Sequence, residues 1–282
     1  MPRTPYHWGV LLLVDLDGVV YRGREPVPGV AEVLRERVAR GDRVAYCTNN
    51  SYRHRSDYLA HLADLGAPVS LDMIFTSASV TARVLAGGPN PVRLVMVLGG
   101  PGLVRELREA GIRTVPPTEH GLAAGPEAVV VGIDPRLSYR RLAVASRAVR
   151  NGARFVATNR DPIYPTADDF DPGAGSIVAA LEVAARRPPD LEVGKPQPGL
   201  FQAAAEAFGA RPEDAVVVGD GIGTDIAAAA AFGSRSILML TGVTSRADLD
   251  TVPADRRPSA VVADARGLRA ALETLETLES LR

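Results

Sequence analysis

The chain has 282 residues, a formal net charge of −1 and one cysteine. Its length suits about two domains, and its near-neutral charge argues against recruitment to nucleic acid or to an anionic membrane by bulk electrostatics. A single cysteine excludes an internal disulfide and is typical of a reducing compartment, so we expect a cytoplasmic protein.

The first predicted element is a buried strand, GVLLLVDLDG, that ends at two aspartates. Its apolar run, residues 10–14, is too short and too soon followed by acidic residues to be a signal segment or a membrane span. An amphipathic helix, PGVAEVLRERVARGD, follows, with Pro28 near its start and Gly41 at its end. This strand and helix begin an alternation that continues along the chain.

The later elements keep this alternation, which is typical of parallel strands joined by crossover helices. The further predicted strands are RVAYCTNNS, RLVMVLG, AVVVGI, RFVATN, AVVVGD and SILML. The further predicted helices are HRSDYLAHLADLG, a helix ending near Ala86, PGLVRELREAG, SYRRLAVASRAVRNG, SIVAALEVAARR, GLFQAAAEAFG, IAAAAAFG and ARGLRAALETLETLESLR. The predicted fold class is therefore α/β, with a Rossmann-like parallel-sheet core.

Two breaks in the pattern indicate how the chain divides into domains. The stretch AGGPNPVR is rich in glycine and proline and separates the first series of elements from the second. The stretch RDPIYPTADDFDPGAG is predicted to be a long polar loop, and such loops inside domains are commonly functional. We predict a discontinuous core over 1–77 and 188–282, with a smaller α/β domain inserted over 78–187.

The end of the first strand carries two carboxylates close together in the sequence. Asp15 and Asp17 are separated by one residue, and a turn at Gly18 would allow both to converge on one pocket. Open α/β sheets bind ligands at the carboxyl ends of their strands, which favours a functional site here. The alternative is an ordinary strand-end turn, since Asp and Gly are common turn residues.

Two further strands also end in polar residues. CTNNS offers the hydroxyl of Thr48 and the amides of Asn49 and Asn50, although a helix N-cap cluster is the alternative interpretation. GDGIGTDI offers Asp220 after a strand and Asp225 at the start of a helix, and it matches neither nucleotide-binding glycine motif. Two aspartates there suit Mg²⁺, which prefers oxygen ligands.

The stretch VGKPQP contains Lys195, the only lysine in the chain. The compact ammonium of lysine differs from the forked guanidinium of arginine. We therefore interpret the presence of a lysine at this position as an electrostatic requirement rather than chance. Pro196 restricts the backbone of the residue before it and stiffens the arm that carries Lys195. A divalent cation and this ammonium would offset the repulsion among four aspartates, and both suit a phosphoryl oxygen.

Together these motifs resemble the haloacid dehalogenase-like phosphatases, and within them the subfamily of NagD, p-nitrophenyl phosphatase and phosphoglycolate phosphatase. DLDGVVYRG is similar to the family's first motif, CTNNS to its second, VGKPQP to its third and GDGIGTDI to its fourth. The resemblance covers nearly the whole chain. It implies a parallel-sheet core, an inserted cap domain that acts as a lid, and phosphatase activity.

The resemblance also implies catalytic roles. Asp15 would be the nucleophile that forms an aspartyl-phosphate, and Asp17 would be the general acid for the leaving group and then the general base for water. Thr48 and Lys195 would hold the phosphoryl group. A carboxylic acid two residues after the nucleophile suits expulsion of an alkoxide, whereas displacement of halide has no need of it.

A metal site and a substrate site follow from the same resemblance. Mg²⁺ would be bound by the Asp15 carboxylate, the backbone carbonyl of Asp17 and Asp220, with Asp225 behind these ligands. The expected substrate-binding residues are Gly18, Asn49, Asn50 and Tyr164. A tyrosine simply buried under the loop is the alternative for the last of these.

The sequence therefore predicts a Mg²⁺-dependent phosphatase for a small phosphorylated metabolite, without nucleic acid or membrane partners. A phosphomutase would keep the same motifs and return the phosphoryl group to a bound intermediate. A regulator that binds a phosphorylated metabolite without turnover is a third hypothesis, and the retention of Asp17 argues against it. Members of the resembled family often dimerise through the cap, so a homodimer is compatible with the resemblance.

Overall fold

The computed structural model describes residues 9–165, 170–253 and 256–280. The chain divides into two compact units. Within the described residues, the first unit draws on Met1–Cys47, Leu59–Ile74 and Phe201–Arg282, and the second on Thr48–Tyr58 and Phe75–Leu200.

The described residues form strands and helices in near-regular alternation. The strands are β1 (Leu11–Val14), β2 (Tyr21–Arg22), β3 (Glu25–Pro26), β4 (Arg43–Thr48), β5 (Ile74–Thr76), β6 (Leu94–Leu98), β7 (Arg113–Val115), β8 (Ala128–Val131), β9 (Arg154–Ala157), β10 (Ile163–Pro165), β11 (Phe170–Pro172), β12 (Leu191–Glu192), β13 (Ala215–Gly219), β14 (Arg235–Met239) and β15 (Ala260–Val262). The helices are α1 (Val30–Ala39), α2 (Asp57–Asp64), α3 (Ser77–Ala86), α4 (Pro101–Glu109), α5 (Glu119–Ala123), α6 (Tyr139–Arg150), α7 (Ala174–Ala185), α8 (Gly199–Phe208), α9 (Ala227–Phe232) and α10 (Ala265–Ser280).

The first unit is built on a six-stranded sheet in the order β15-β14-β13-β1-β4-β5. Strand β1 pairs in parallel with β13 on one side and with β4 on the other, so that Leu13 faces Val217 and Ala45. All four residues of β1 are fully buried, as expected for a strand covered on both faces. The parallel α/β class predicted from the sequence is confirmed.

The second unit has its own parallel sheet, in the order β12-β9-β8-β6-β7. Its core lies between this sheet and helices α6 and α7, where Met96, Phe155, Val144 and Leu181 are almost wholly buried. A separate antiparallel pair, β10 and β11, sets Tyr164 opposite Asp171. The predicted core over 1–77 and 188–282 and the predicted insertion over 78–187 stay predictions.

Several short elements were not predicted from the sequence. They are β5, β7, α5, β12, β15 and the pairs β2–β3 and β10–β11. The stretch expected to be a loop, residues 160–175, contains β10 and β11, while its residues 166–169 lie outside the described ones. These elements span two to five residues each, so none contains enough positions for a period of 2.0 or 3.6 to emerge.

The predicted helix IAAAAAFG is confirmed as α9, but a π-helical turn, Ile222–Ile226, precedes it. π-helical turns of this kind are rare and concentrate at functional sites. Among the described residues, no helix combines the length and the apolar character needed to cross a membrane.

Candidate active site

The two aspartates after β1 differ in their exposure to solvent. Asp15 continues the line of β1, since its N–H donates to the Val218 carbonyl at 2.9 Å, and it is buried. Asp17 is exposed. The chain then turns at Gly18, whose φ of 82° lies in the left-handed region, and the Gly18 N–H donates to the Tyr21 carbonyl at 2.7 Å. Asp15 is therefore enclosed by the protein, whereas Asp17 is accessible to solvent.

Three buried carboxylates meet at the ends of β1 and β13. Asp15, Asp220 and Asp225 each offer one oxygen, and these oxygens lie within 4.8 Å of one another. Asp220 directly follows β13, and Asp225 lies in the π-helical turn. Carboxylate oxygens converging at this spacing are the donor set that Mg²⁺ takes, and a cation would offset their mutual repulsion. The residues present therefore fit a hard divalent cation.

Asp225 is oriented by hydrogen bonds from its own turn. Its Oδ2 atom accepts from the Gly221 N–H at 3.1 Å and from the Thr224 hydroxyl at 3.4 Å. These donors fix the direction of a carboxylate that is 1% exposed. The sequence placed Asp225 behind the metal ligands, and in the structure one of its oxygens lies within 4.8 Å of an oxygen of Asp15 and of an oxygen of Asp220.

Three glycines leave the space that the side chains of Asp220 and Asp225 occupy. A Cβ atom added at Gly242 would lie 1.8 Å from Asp220 Oδ2, and one added at Gly18 would lie 2.3 Å from the same atom. A Cβ atom at Gly219 would lie 2.2 Å from the Cβ of Asp225. No side chain fits at these distances, so the packing around Asp220 and Asp225 requires glycine at all three positions.

The loop after β14 supports the cluster, and sequence reasoning missed it. The Val243 N–H donates to Asp220 Oδ2 at 2.7 Å, and the buried Thr241 hydroxyl donates to the Gly18 carbonyl at 2.6 Å. Arg22 donates in turn to the Thr241 carbonyl. The stretch TGVT has no titratable side chain, so a search for charged residues at strand ends passes over it. The available signal was a glycine directly after a threonine at the end of a strand.

In the second unit, Asn49 and Lys195 are held together. The Lys195 N–H donates to Asn49 Oδ1 at 2.8 Å, and Asn49 Nδ2 donates to the Lys195 carbonyl at 2.9 Å. Both residues are buried, with Lys195 only 3% exposed. Thr48, the last residue of β4, is also buried, and its Oγ1 accepts from the Asn50 N–H at 3.2 Å.

Asn50 and Tyr164 form a second pair in the same unit. The Asn50 Nδ2 atom lies 3.5 Å from the Tyr164 hydroxyl, and Tyr164 is half-buried. Asn50 Oδ1 accepts from the N–H groups of Tyr52 and Arg53, so it caps the turn that follows β4. The helix-cap alternative considered for CTNNS thus accounts for the Oδ1 atom of Asn50. The Nδ2 atom of the same amide lies near the Tyr164 hydroxyl.

A second group with metal-ligand chemistry is already neutralised by arginine. His54 Nε2 lies 3.0 Å from Glu109 Oε2 and 3.3 Å from Glu106 Oε1. Arg105 donates to Glu109 at 2.8 Å, and this hydrogen bond is the main cause of the lowered pKa of Glu109. Arg55 contacts both glutamates. This group is therefore an ion-pair network.

Two family models match the chain. The haloacid dehalogenase-like hydrolase model covers residues 12–113, and the HAD-hydrolase-like model covers residues 192–268. The chain belongs to the haloacid dehalogenase-like hydrolase family. The matched ranges include the aspartate cluster as well as Thr48 and Lys195, and the resemblance seen in the sequence is confirmed, including its NagD-like subfamily.

Relatives of this family cover most of the chain. The D-glycerol 3-phosphate phosphatase of Mycobacterium tuberculosis is 38% identical over 91% of this chain and 70% of its own length. The p-nitrophenyl phosphatase structure from Archaeoglobus fulgidus has a TM-score of 0.85 and 33% identity, covering 93% of this chain and 99% of its own. A glycerol phosphate phosphatase structure from Mycobacterium tuberculosis, in complex with magnesium, has a TM-score of 0.85 and 36% identity, covering 95% of this chain and 78% of its own.

These matches establish the class of enzyme. This haloacid dehalogenase-like hydrolase is a phosphatase that uses Mg²⁺, as the sequence predicted. The buried oxygens of Asp15, Asp220 and Asp225 supply a donor set that suits this ion. The roles of individual residues remain predictions.

Proposed function

We propose that this phosphatase hydrolyses small phosphate monoesters, with Asp15 as the nucleophile and Asp17 as the general acid and base. The observation that supports this assignment is the contrast between the two residues. Asp15 belongs to a cluster of three buried carboxylates, whereas Asp17 follows it on the same loop and is exposed. A buried carboxylate beside a cation site suits attack on phosphorus, and an exposed one can exchange protons.

The proposed reaction has two steps. An Asp15 oxygen forms a bond to phosphorus while the bond from phosphorus to the ester oxygen breaks, and Asp17 donates a proton to that leaving oxygen. Water then attacks phosphorus, Asp17 accepts a proton from the water, and the bond to Asp15 breaks. The products are the free alcohol and inorganic phosphate, and both aspartates return to their initial states.

Cations are expected to stabilise the charge of the transferring group. Mg²⁺, held by Asp15, Asp220 and the backbone carbonyl of Asp17, neutralises charge on the phosphoryl oxygens when it is bound. Thr48 and Lys195 are proposed to bind those oxygens directly, through a hydroxyl donor and an ammonium. Donors that are already in place cost no reorganisation when the charge develops.

Substrate choice is assigned to the second unit. The proposed contacts to the ester are those that the sequence suggested, namely Gly18, Asn49, Asn50 and Tyr164. Among these, Tyr164 is the proposed contact of the leaving group, and its place beside the Asn50 amide supports this because a phenol and an amide together can bind a hydroxylated group. Glycerol phosphate is the first candidate substrate, because relatives named for it match most of the chain.

The test is release of inorganic phosphate from a panel of esters, with and without Mg²⁺. The panel contains glycerol phosphate, phosphoglycolate, p-nitrophenyl phosphate, pyridoxal phosphate and nucleoside monophosphates. The wild type is compared with Asp15→Asn, which keeps the size of the side chain and removes the nucleophile. Release that requires both Mg²⁺ and Asp15 supports the proposal, and unchanged release by Asp15→Asn contradicts it.

Three broader features are proposed with this function. Residues 78–187 are proposed to form an inserted cap domain that selects substrates, which limited proteolysis at its predicted boundaries tests. A homodimer is proposed from the resemblance to cap-dimerising relatives, and light scattering measures its mass. A cytoplasmic location is proposed because the sequence has a single cysteine, Cys47, and so cannot form an internal disulfide, and cell fractionation tests it.

A further inference from the structure

The side-chain amide of Asn49 pairs with the backbone of Lys195 on two sides. Its Oδ1 atom accepts the Lys195 N–H at 2.8 Å, and its Nδ2 atom donates to the Lys195 carbonyl at 2.9 Å. The amide thus exchanges two hydrogen bonds with one residue, as the two residues of a hydrogen-bonded pair do in an antiparallel ladder. The orientation of the amide is determined, because a flipped amide would place its NH₂ group against the Lys195 N–H.

The amide of Asn49 has no donor left for a substrate. A primary amide carries two N–H donors, and one of them is used on the Lys195 carbonyl. The same nitrogen lies 3.0 Å and 3.1 Å from the two carboxylate oxygens of Asp161, which takes the second donor. To bind a substrate through its side-chain nitrogen, as the sequence suggested, Asn49 would have to break one of these hydrogen bonds.

The backbone of Asn49 is anchored as firmly as its side chain. Its carbonyl accepts from the Ser77 hydroxyl at 2.6 Å and from Asn159 Nδ2 at 2.7 Å. On the side of Lys195, the Gly194 N–H donates to the Thr158 carbonyl at 2.8 Å, which continues the pairing of β12 with β9. Both partners of the Asn49–Lys195 contact are thus fixed to the second unit by further hydrogen bonds.

Close packing at Gly194 supports the same arrangement. A Cβ atom at this position would lie 2.6 Å from Asn49 Oδ1 and 2.7 Å from the Thr158 carbonyl oxygen. The residue before Lys195 therefore has to be glycine for Asn49 to reach the Lys195 N–H. This requirement is independent of the hydrogen bonds themselves.

We propose that Asn49 is a positioning residue, which acts on the reaction by fixing the backbone from which the Lys195 side chain extends. The inference rests on the proposed function, in which Lys195 binds the phosphoryl group. A displacement of about 1 Å in such a group can cost about 100-fold in rate. Asn49 then contributes to catalysis through Lys195, and this role replaces the direct substrate contact that the sequence suggested for it.

A double-mutant cycle separates these possibilities, using Asn49→Ala, Lys195→Ala and the double variant. The measured quantities are kcat, KM and the inhibition constant of inorganic phosphate, with p-nitrophenyl phosphate as substrate. In the presence of Lys195 we expect Asn49→Ala to lower kcat/KM by about 10- to 100-fold and to weaken phosphate inhibition. In the Lys195→Ala background the same change is expected to cost less than about threefold, because interacting residues are not additive.

Additive losses would overturn the inference, since they would show that Asn49 acts independently of Lys195. An unaltered kcat/KM in Lys195→Ala would instead overturn the proposed role of Lys195, so the two failures are distinguishable. Asn151→Ala, at the exposed end of α6, is the matched control and is expected to keep wild-type kinetics. If Asn49→Ala does not fold, Ser77→Ala takes its place in the cycle. That variant removes the hydrogen bond to the Asn49 carbonyl, and it is expected to give a smaller loss with the same dependence on Lys195.

Discussion

The backbone N–H of Val243 donates a hydrogen bond of 2.7 Å to the Oδ2 atom of Asp220. One of the three clustered carboxylates is therefore oriented by a backbone group of the stretch TGVT, which contains no charged side chain. The neighbouring Gly242 makes this contact possible, because any side chain there would overlap Asp220. Groups that orient metal ligands commonly matter nearly as much as the ligands themselves.

Replacing Gly242 is expected to damage the metal site. In Gly242→Ala the added methyl would lie 1.8 Å from Asp220 Oδ2, so the carboxylate or the loop must move. We expect the Mg²⁺ concentration for half-maximal activity to rise about 10- to 100-fold. The control is Gly223→Ala, since a Cβ atom there meets nothing within 4 Å. An equal rise in both variants, or in neither, would contradict the assignment.

Removing the Thr241 hydroxyl is expected to cost stability. This buried hydroxyl donates to the Gly18 carbonyl at 2.6 Å, and Thr241→Val keeps the shape but leaves that carbonyl without its donor. The free energy of unfolding should fall by about 1–3 kcal/mol, measured by urea denaturation. Thr241→Ser retains the hydroxyl and should recover most of the loss. If the serine variant is destabilised while the valine variant is as stable as the wild type, methyl packing rather than the hydrogen bond is responsible.

The role of Asp17 predicts a dependence on the leaving group. An alkoxide needs protonation as it departs, whereas p-nitrophenolate is a stable anion. Asp17→Asn should therefore lower kcat for glycerol phosphate by about 10²- to 10⁴-fold and lower the first, phosphoryl-transfer step with p-nitrophenyl phosphate much less. Rapid-quench measurement of the first turnover compares the two esters. Equal losses for both would show that Asp17 is not the acid in this step.

Tyr46 gives a prediction at alkaline pH. Burial raises the pKa of its hydroxyl, which donates to the Pro68 carbonyl at 2.9 Å. Above the ordinary tyrosine pKa of about 10, the unfolded chain loses this proton while the folded chain keeps it, so stability falls as pH rises. Tyr46→Phe should be less stable near neutral pH by about 1 kcal/mol, and the two stabilities should converge above pH 10. Parallel curves from pH 7 to 11 would refute this.

Long apolar runs made much of the fold predictable. The strands β1, β6, β8 and β13 consist almost entirely of branched aliphatic residues, and they form the centres of the two sheets. The short strands β7 and β15 lie at sheet edges, where one side has no partner strand and exposed residues interrupt the apolar pattern. Their identity is fixed by pairing with a neighbour, which a local pattern does not reveal.

The aspartates of the site could be found because charged residues at strand ends are conspicuous in a sequence. The structure brings Asp15, Asp220 and Asp225 together, as convergence at the carboxyl ends of parallel strands suggests. Supporting contacts were harder to foresee. Val243 acts through its backbone, and Asn49 pairs with a residue 146 positions later in the chain, so neither contact leaves a local signature.

The burial of Lys195 has a practical consequence for chemical labelling. Because the sequence contains one lysine and its residue is 3% exposed, lysine-directed acylation can address a single, protected side-chain amine. The surface, which uses arginine for its positive charge, offers no competing lysine amine to such a reagent. Mass spectrometry of the acylated peptide would thus record how often this one position opens to solvent. Lys195 can therefore serve as a site-specific probe of local opening around the buried amine.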